Sequence, residues 1–268
     1  MTFELGPALL FCPADRPERF RGALEKADAV ILDLEDAVLP DAKATARGNL
    51  IDADLDPDRV IVRVNPPGSE AFASDLSTLS QTDFRTVMVA KTENADSLSA
   101  FDERFSLIAL CETARGVHAA DRIAAHPQIV AVMWGAEDLV ASLGGTSSRR
   151  PTGGYRDVAR YARSRVLLEA GAHGKGAIDA VHIDIDDIAG QRAEAEDAAA
   201  SGFAATACIH PSQIAAIRDA YAPAADALEW ARAVLDAAES ERGVFRFHGR
   251  MIDEPVLRHA RSLLSRAR

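Results

Sequence analysis

The feature that most constrains this chain is a rhythm of short apolar, β-branched runs bounded by polar residues. They are "ALLFCP" at Ala8, "AVILDLE" at Ala29, "RVIVRVN" at Arg59, "TVMVAK" at Thr86, "SLIALCE" at Ser106, "IVAVMWG" at Ile129, "AIDAVHIDI" at Ala177 and "ATACIHP" at Ala205. Runs of this length and composition read as eight strands. The stretches between them have helical character: Pro17 to Lys26, Asp41 to Leu50, Ser74 to Leu79, Asp96 to Phe101, Thr113 to Ala125, and Arg156 to Ala170 closed by Gly171. In the fifth of these, Val117, Ala120 and Ile123 recur at helical spacing. Strands alternating with helices require right-handed crossovers and a parallel sheet. Eight such units predict an α/β fold of the (β/α)8 TIM-barrel type rather than an open sheet.

After His210 the rhythm stops, leaving an alanine-rich helix from Ala224 to Glu241, a turn at Gly243 and the segment "VFRFHGRMIDEPVLRHARSLL". The predicted division is a barrel over 1–222 and a C-terminal helical extension over 223–268. The stretch "LGGTSSRRPTGGY", Leu143 to Tyr155, follows the sixth strand and reads as a mobile loop.

Composition narrows the function classes. Hydrophobic residues make up 48% of the 268 and charged residues 26%, enough apolar material for a sizeable core. A net charge of -11 repels phosphate backbones and anionic lipid, and no basic patch offsets it, so neither a nucleic-acid nor a membrane-surface role is expected. Cys12, Cys111 and Cys208 each sit in an apolar run, which reads as reduced core thiols in a cytoplasmic protein. Nowhere do 18 consecutive apolar residues occur, and no basic segment precedes an apolar one at the N-terminus, so neither a membrane span nor a signal peptide is expected.

In such a barrel the chemistry lies at the C-terminal ends of the strands. The polar residues there are Glu35 and Asp36 after the second strand, Arg63 and Asn65 after the third, Lys91 and Glu93 after the fourth, and Glu112 after the fifth. Glu137 and Asp138 follow the sixth, Asp184 and Asp187 the seventh, and His210 the eighth. Any one acid alone reads as a helix cap. Their recurrence at successive strand ends points instead to one shared rim, where Arg, Lys and a bound cation neutralise them. Glu112 and Asp138, from different strands and with no His or Cys cluster beside them, suit a hard cation such as Mg²⁺ with water and substrate completing its shell. His210 reads as a structural hydrogen-bonder, and the glycine pairs at Gly144 and Gly153 lack any phosphate-loop pattern.

Taken in order, "LFCPADRPERF", "DAVILDLEDAV" with Lys43 and Arg47 behind it, "VRVN", "KTE", "CETARG", "WGAEDL", "AIDAVHID", "CIHPSQ" and "MIDEP" give the chain a resemblance to the citrate lyase β-subunit-like branch of the HpcH/HpaI aldolase superfamily. The resemblance implies a TIM barrel, usually a homotrimer, that uses Mg²⁺ to make or break a carbon–carbon bond in a β-hydroxy acyl thioester. Citramalyl-, malyl- or citryl-CoA would yield a keto acid (pyruvate, glyoxylate or oxaloacetate) and an acyl-CoA thioester. It also implies that Glu112 and Asp138 are metal ligands, that Arg63 and the Glu112 site bind the keto acid, and that Glu35 and Asp36 form an acidic pair beside the metal. Asp253 matches an acid/base that reaches the neighbouring subunit's site, which makes the tail a lid, and Arg16 lies where relatives contact the coenzyme A nucleotide. One departure stands out: "GFAATACIHP" supplies Ala205 and Thr206 where relatives commonly carry Gly-Lys. Glu35-Asp36 in place of Glu-His argues against an aldolase acting on free aldehydes. A thioesterase using the same Mg²⁺ site, and a citrate lyase β subunit active only with an acyl-carrier subunit, are the alternatives.

Overall fold

Each of the eight runs forms a strand in the computed structural model, which describes residues 3–241 and 243–266. These are β1 (Ala8–Pro13), β2 (Ala29–Asp33), β3 (Val60–Val64), β4 (Thr86–Val89), β5 (Ser106–Cys111), β6 (Ile129–Trp134), β7 (Gly176–Asp179) and β8 (Ala205–Cys208). Neighbours in sequence pair in parallel, and β8 pairs back onto β1, so the sheet closes into the barrel that the alternation predicts. Closure removes both sheet edges, and helices cover the outside, which is why the strands read as nearly continuous apolar runs.

Side chains of a strand alternate between its two faces, so every second residue points into the barrel. Leu9, Ala29, Ile31, Ile61, Met88, Ile108, Leu110, Ala131, Met133, Ile178, Ala205 and Ala207 follow this spacing within one buried cluster, which Val130 also joins. Ile31 and Ile61 are fully buried, each worth roughly 1.5–3 kcal/mol relative to an exposed position. The same parity, carried toward the C-terminal ends, assigns the next layer to Phe11, Asp33, Arg63, Glu112 and Gly135.

The crossovers carry α1 (Phe20–Lys26), α2 (Lys43–Ile51), α3 (Phe72–Leu79), α4 (Ala114–Ala124), α5 (Ala136–Ser142), α6 (Asp157–Ala172), α7 (Ile188–Ser201) and α8 (Ile214–Tyr221). Thr113 caps α4 by accepting the Gly116 N–H at 3.1 Å, and Asp187 caps α7 through the Gly190 N–H at 2.9 Å. Several bounds differ from expectation: β7 ends at Asp179, well before the end of the run "AIDAVHIDI", and the first helix opens with a 3-10 turn, Pro17–Arg19. The stretch after β4 forms only a 3-10 helix, Asp96–Ala100, and α6 runs through Gly171 to Ala172. The chain reverses at Gly174, where φ is +64°, a conformation glycine adopts without strain.

The chain divides into two compact units, Met1–Ile217 and Arg218–Arg268. In the second, α9 (Ala225–Ser240), the hairpin β9 (Phe245–Phe247) and β10 (Arg250–Ile252), and α10 (Glu254–Arg266) enclose a small core. Ala231, Val234, Ile252, Leu257 and Ala260 form it, with Trp230, Phe245 and Phe247 packed alongside. No helix among the described residues is long and apolar enough to cross a membrane. All three cysteines are free and buried.

Candidate active site

At the C-terminal end of the barrel a cavity of about 190 Å³ opens above the interior cluster. Asp33, Arg63, Glu112, Glu137 and Asp138 line its polar side, and Phe11, Leu110, Met133, Ala180, Val181 and Ile209 its apolar side. Strand parity therefore delivers Asp33, Arg63 and Glu112 to one place from β2, β3 and the end of β5.

Asp33 and Arg63 are register partners across β2 and β3. Arg63 Nε donates to Asp33 Oδ1 at 2.7 Å and Nη2 to Oδ2 at 2.6 Å. Both side chains are buried, and the guanidinium also lies 4.9 Å over the Phe11 ring. Burial alone would lower the Arg63 pKa, but the charge and hydrogen bonds of Asp33 raise it above the ordinary arginine value. Asp33 further accepts the backbone N–H of Glu35 at 2.8 Å and of Ala37 at 3.1 Å. One carboxylate thus aims the arginine and shapes the turn that presents Glu35 and Asp36.

That turn is braced from α2. Lys43 Nζ donates to the carbonyls of Leu34 at 2.7 Å and Glu35 at 2.9 Å, and to Asn65 Oδ1 at 2.8 Å. Asn65 donates to Asp75 Oδ2 at 2.7 Å, and Asp75 accepts from Arg47 Nε at 2.8 Å. Lys43, which accompanies the acidic turn in the sequence, holds its backbone from outside the cavity, and Arg47 braces Asp75 behind Asn65.

Glu35 Oε2 lies 3.0 Å from Arg63 Nη1, and Oε1 accepts a hydrogen bond from Lys91 Nζ. Burial nonetheless raises the Glu35 pKa against both cations. For Asp36 burial is outweighed by its hydrogen bond from Lys91, and the pKa is lowered. Lys91 reaches Asp36 Oδ2 at 2.9 Å and Asp138 Oδ1 at 3.3 Å, while its backbone N–H donates to Glu112 Oε1 at 3.1 Å. Burial would lower the Lys91 pKa, but hydrogen bonds to Glu35 and Asp36 hold it above the ordinary lysine value.

Glu112 is 3% exposed. Burial first, and then repulsion from Asp138, push its pKa up to about 8 against the pull of Arg63 and Lys91. Gly135 makes room for it: a Cβ there would stand 2.8 Å from Glu112 Oε2 and 2.9 Å from its Cβ. Asp138 follows in the first turn of α5. Two carboxylates on one cavity, one of them buried and short of positive charge, fit a hard divalent cation such as Mg²⁺. Among the described residues no group of three His, Cys, Asp or Glu side chains could hold a metal unaided, so such a cation would take its other ligands from water and substrate.

Four of the rim acids, Glu35, Asp36, Glu112 and Asp138, therefore share one charge network. The others do local work. Asp187 caps α7, Glu93 accepts from Thr113 Oγ1 at 2.9 Å, and Glu137 accepts from Ser148 Oγ. His210, as expected, is structural: its Nδ1 accepts the Ser212 N–H at 3.2 Å. Arg16 stands just beyond β1, half exposed, with Asp15 4.0 Å away, and does not line the cavity. Asp253 belongs to the second unit, where its Oδ1 accepts the Val256 N–H at 3.3 Å at the start of α10. Ala205 and Thr206 are buried in β8.

Sequence reasoning gave no role to Asp33, and it placed Lys91 on the rim as a neutralising charge without naming the acids it meets. The signal for Asp33 was strand parity with Ala29 and Ile31; for the Lys91 contacts there was none. It also read residues 143–155 as a mobile loop; most of that segment is exposed, but three of its residues are anchored. Ser148 is 1% exposed, and Arg149 pairs with Glu194, donates to Tyr155 Oη at 2.9 Å and lies 4.1 Å over the Tyr155 ring.

Comparison with known proteins shows the family. The family model described as HpcH/HpaI aldolase/citrate lyase matches residues 8–211. The citrate lyase subunit beta-like protein of Mycobacterium tuberculosis is 55% identical over 262 residues, covering 98% of this chain and 96% of that protein. Mitochondrial citramalyl-CoA lyase of Homo sapiens is 31% identical, covering 97% of this chain and 85% of that protein. The crystal structure of protein CitE from Mycobacterium tuberculosis in complex with magnesium, acetoacetate and coenzyme A superposes with a TM-score of 0.93 at 54% identity, covering 98% of both chains. A barrel with this rim, matched by that family model over nearly all of its strands and loops and by relatives over almost the whole chain, makes this protein a member of the HpcH/HpaI aldolase/citrate lyase family.

Proposed function

We propose that this protein is a Mg²⁺-dependent carbon–carbon lyase that cleaves or forms a β-hydroxy acyl-CoA thioester, citramalyl-CoA, malyl-CoA or citryl-CoA, with a keto acid and an acyl-CoA as the other side of the reaction. The observation that carries this reading is the convergence of Glu112, Asp138 and the Asp33-braced Arg63 on one cavity.

Cleavage removes the β-hydroxyl proton, breaks the carbon–carbon bond, leaves a keto acid and places the electron pair on the thioester as an enolate, which is then protonated at its α-carbon. Negative charge therefore has to be held on two oxygens in succession. Arg63 has five N–H donors; Asp33 takes two and Glu35 engages a third, leaving donors for the keto-acid carboxylate. A placed donor of this kind is worth about 3–4 kcal/mol. A magnesium ion on Glu112 and Asp138 would supply Lewis-acid stabilisation to the substrate oxygens. Glu35, whose pKa is raised by burial, is suited to move a proton beside them, and proton transfer by a placed carboxylate contributes roughly 10²–10⁴ in rate. Asp253 is the first choice for the acid that serves the α-carbon, reaching a neighbouring subunit of a homotrimer, and Arg16 would meet the coenzyme A nucleotide. The acidic net charge and three free buried cysteines support a reduced, cytoplasmic setting.

The test is a panel of citramalyl, malyl and citryl thioesters assayed with and without Mg²⁺, following keto acid and free coenzyme A separately. Mg²⁺-dependent keto-acid release, abolished in Glu112→Gln and Asp138→Asn variants that melt like the wild type, supports the lyase. Free coenzyme A together with intact hydroxy acid would make the protein a thioesterase instead. Activity only after addition of an acyl-carrier subunit would make it a lyase subunit.

A further inference from the structure

Lys91 is one of two non-glycine residues in the left-handed region among the described residues, with φ at +47°. A lysine gains nothing locally from that conformation, which crowds its Cβ against the backbone, so the surroundings impose it. Those surroundings are the cavity's carboxylates. The backbone N–H is turned onto Glu112 Oε1 at 3.1 Å. The side chain, half-buried, is fastened by Glu35 and by Asp36 at 2.9 Å, and from there its ammonium stands 3.3 Å from Asp138 Oδ1.

This arrangement assigns the two halves of one residue opposite relations to the two carboxylates proposed to hold the metal. The peptide N–H fixes Glu112 in place. The ammonium, held by an acidic pair that is not itself in the ligand set, lies against Asp138. A divalent ion on Asp138 has to share that carboxylate with a cation that cannot drift away, and it feels the repulsion of that cation in a partly buried site where screening is weak.

We propose that Lys91 is an internal competitor for the divalent ion, an ammonium anchored by Glu35 and Asp36 that contests Asp138 and so sets how tightly the site holds its metal. The inference rests on the Glu112–Asp138 metal reading. It differs from a merely structural ion pair in its direction: removing a brace loosens a metal site, whereas removing a competitor tightens it.

Lys91→Gly separates the two halves of the residue, since glycine keeps the left-handed backbone and the N–H to Glu112 while deleting the ammonium. Metal-stripped wild type, Lys91→Gly, Lys91→Gln and Lys91→Arg are titrated with MgCl2 by calorimetry, and each is melted with and without the metal. The expected result is a Kd at least tenfold lower in Lys91→Gly and lowered in Lys91→Gln, with Lys91→Arg close to the wild type and a larger metal-induced rise in Tm in the two neutral variants. An unchanged or higher Kd in the neutral variants overturns the proposal while leaving the metal site standing. Absence of saturable binding in the wild type overturns the metal assignment and this inference with it. If Lys91→Gly does not fold, the Lys91→Gln titration decides.

Discussion

Asp33 and Arg63 face each other as register partners on adjacent parallel strands and close a two-pronged ion pair, 2.7 Å and 2.6 Å, on the polar side of the cavity. A guanidinium has too many rotamers to aim itself. The carboxylate that fixes it comes from the neighbouring strand, one layer above the apolar interior.

Asp33→Asn keeps the size of the side chain and removes its charge. Breaking one side of a buried pair typically costs about 3–5 kcal/mol, and Glu35 at 3.0 Å from Arg63 Nη1 places this loss at the lower end. The expected outcome is a folded protein with a lower urea midpoint and a KM for the keto acid in the synthetic direction raised roughly tenfold or more. Unchanged KM alongside lost stability would reduce Asp33 to a structural residue.

Gly135→Ala adds one methyl group where 2.8 Å separates it from Glu112 Oε2. The φ of Gly135 is -129°, which alanine adopts freely, so the effect falls on the glutamate rather than on the backbone. Calorimetry should show weakened Mg²⁺ binding, with Tm reduced only by the small cost of a displaced side chain. Wild-type affinity would mean that Glu112 has another way to sit.

The segment carrying Arg149 is held by a pH-sensitive contact. His182 Nδ1 lies 3.0 Å from Glu194 Oε2, with Asp187 3.3 Å from Nε2 and the Arg149 guanidinium 3.5 Å away. The hydrogen bond that His182 donates to Glu194 raises the His182 pKa, while Glu194 is lowered, despite burial, by His182 and Arg149. A raised histidine stabilises below its unfolded value, near 6.5, and loses that contribution as pH rises through the folded value. The lowered Glu194 stabilises above its unfolded value and loses that contribution as pH falls through its folded one. Stability from this pair therefore peaks in mildly acidic solution and declines as pH rises from about 6.5 through the folded value of His182. Tm measured from pH 5 to 9 should show the decline, Glu194→Gln should flatten it at a cost of about 1.5–3 kcal/mol, and limited proteolysis of residues 143–155 should quicken on the alkaline side. An alkaline slope identical in the variant would remove His182 as its source.

Asp253 caps α10, and the family resemblance casts it as an acid/base. Asparagine caps a helix as well as aspartate does, so Asp253→Asn separates the roles. Turnover should fall while Tm and keto-acid binding hold, whereas Asp253→Ala should also cost about 1 kcal/mol. Full turnover in Asp253→Asn would leave the residue only its cap.

The barrel was legible because every strand is buried on both faces and bounded by turn residues, as in "AVILDLE" and "SLIALCE". The helices were less so. In α7 alanines face both inward and outward, leaving no apolar stripe to read, and the hairpin β9–β10 with α10 lies in a tail whose core is assembled only when α9 packs on it. Among the rim acids, position after a strand-like run was visible but not use: Asp187 and Glu112 both follow such runs, and only Glu112 lines the cavity.

Local periodicity, which depends on residues two to four apart, was determined by the sequence alone and set Glu112, Asp138, Arg63, Glu35 and Asp36 at or after strand ends, while the roles expected of them came from the family resemblance. The pairing of Asp33 with Arg63, the clearance that Gly135 gives Glu112 and the three carboxylates gathered on Lys91 were decided by tertiary structure. Each depends on strands packing side by side in the barrel, which sets residues 23 to 56 positions apart in contact, and spacing along a chain carries no record of that distance.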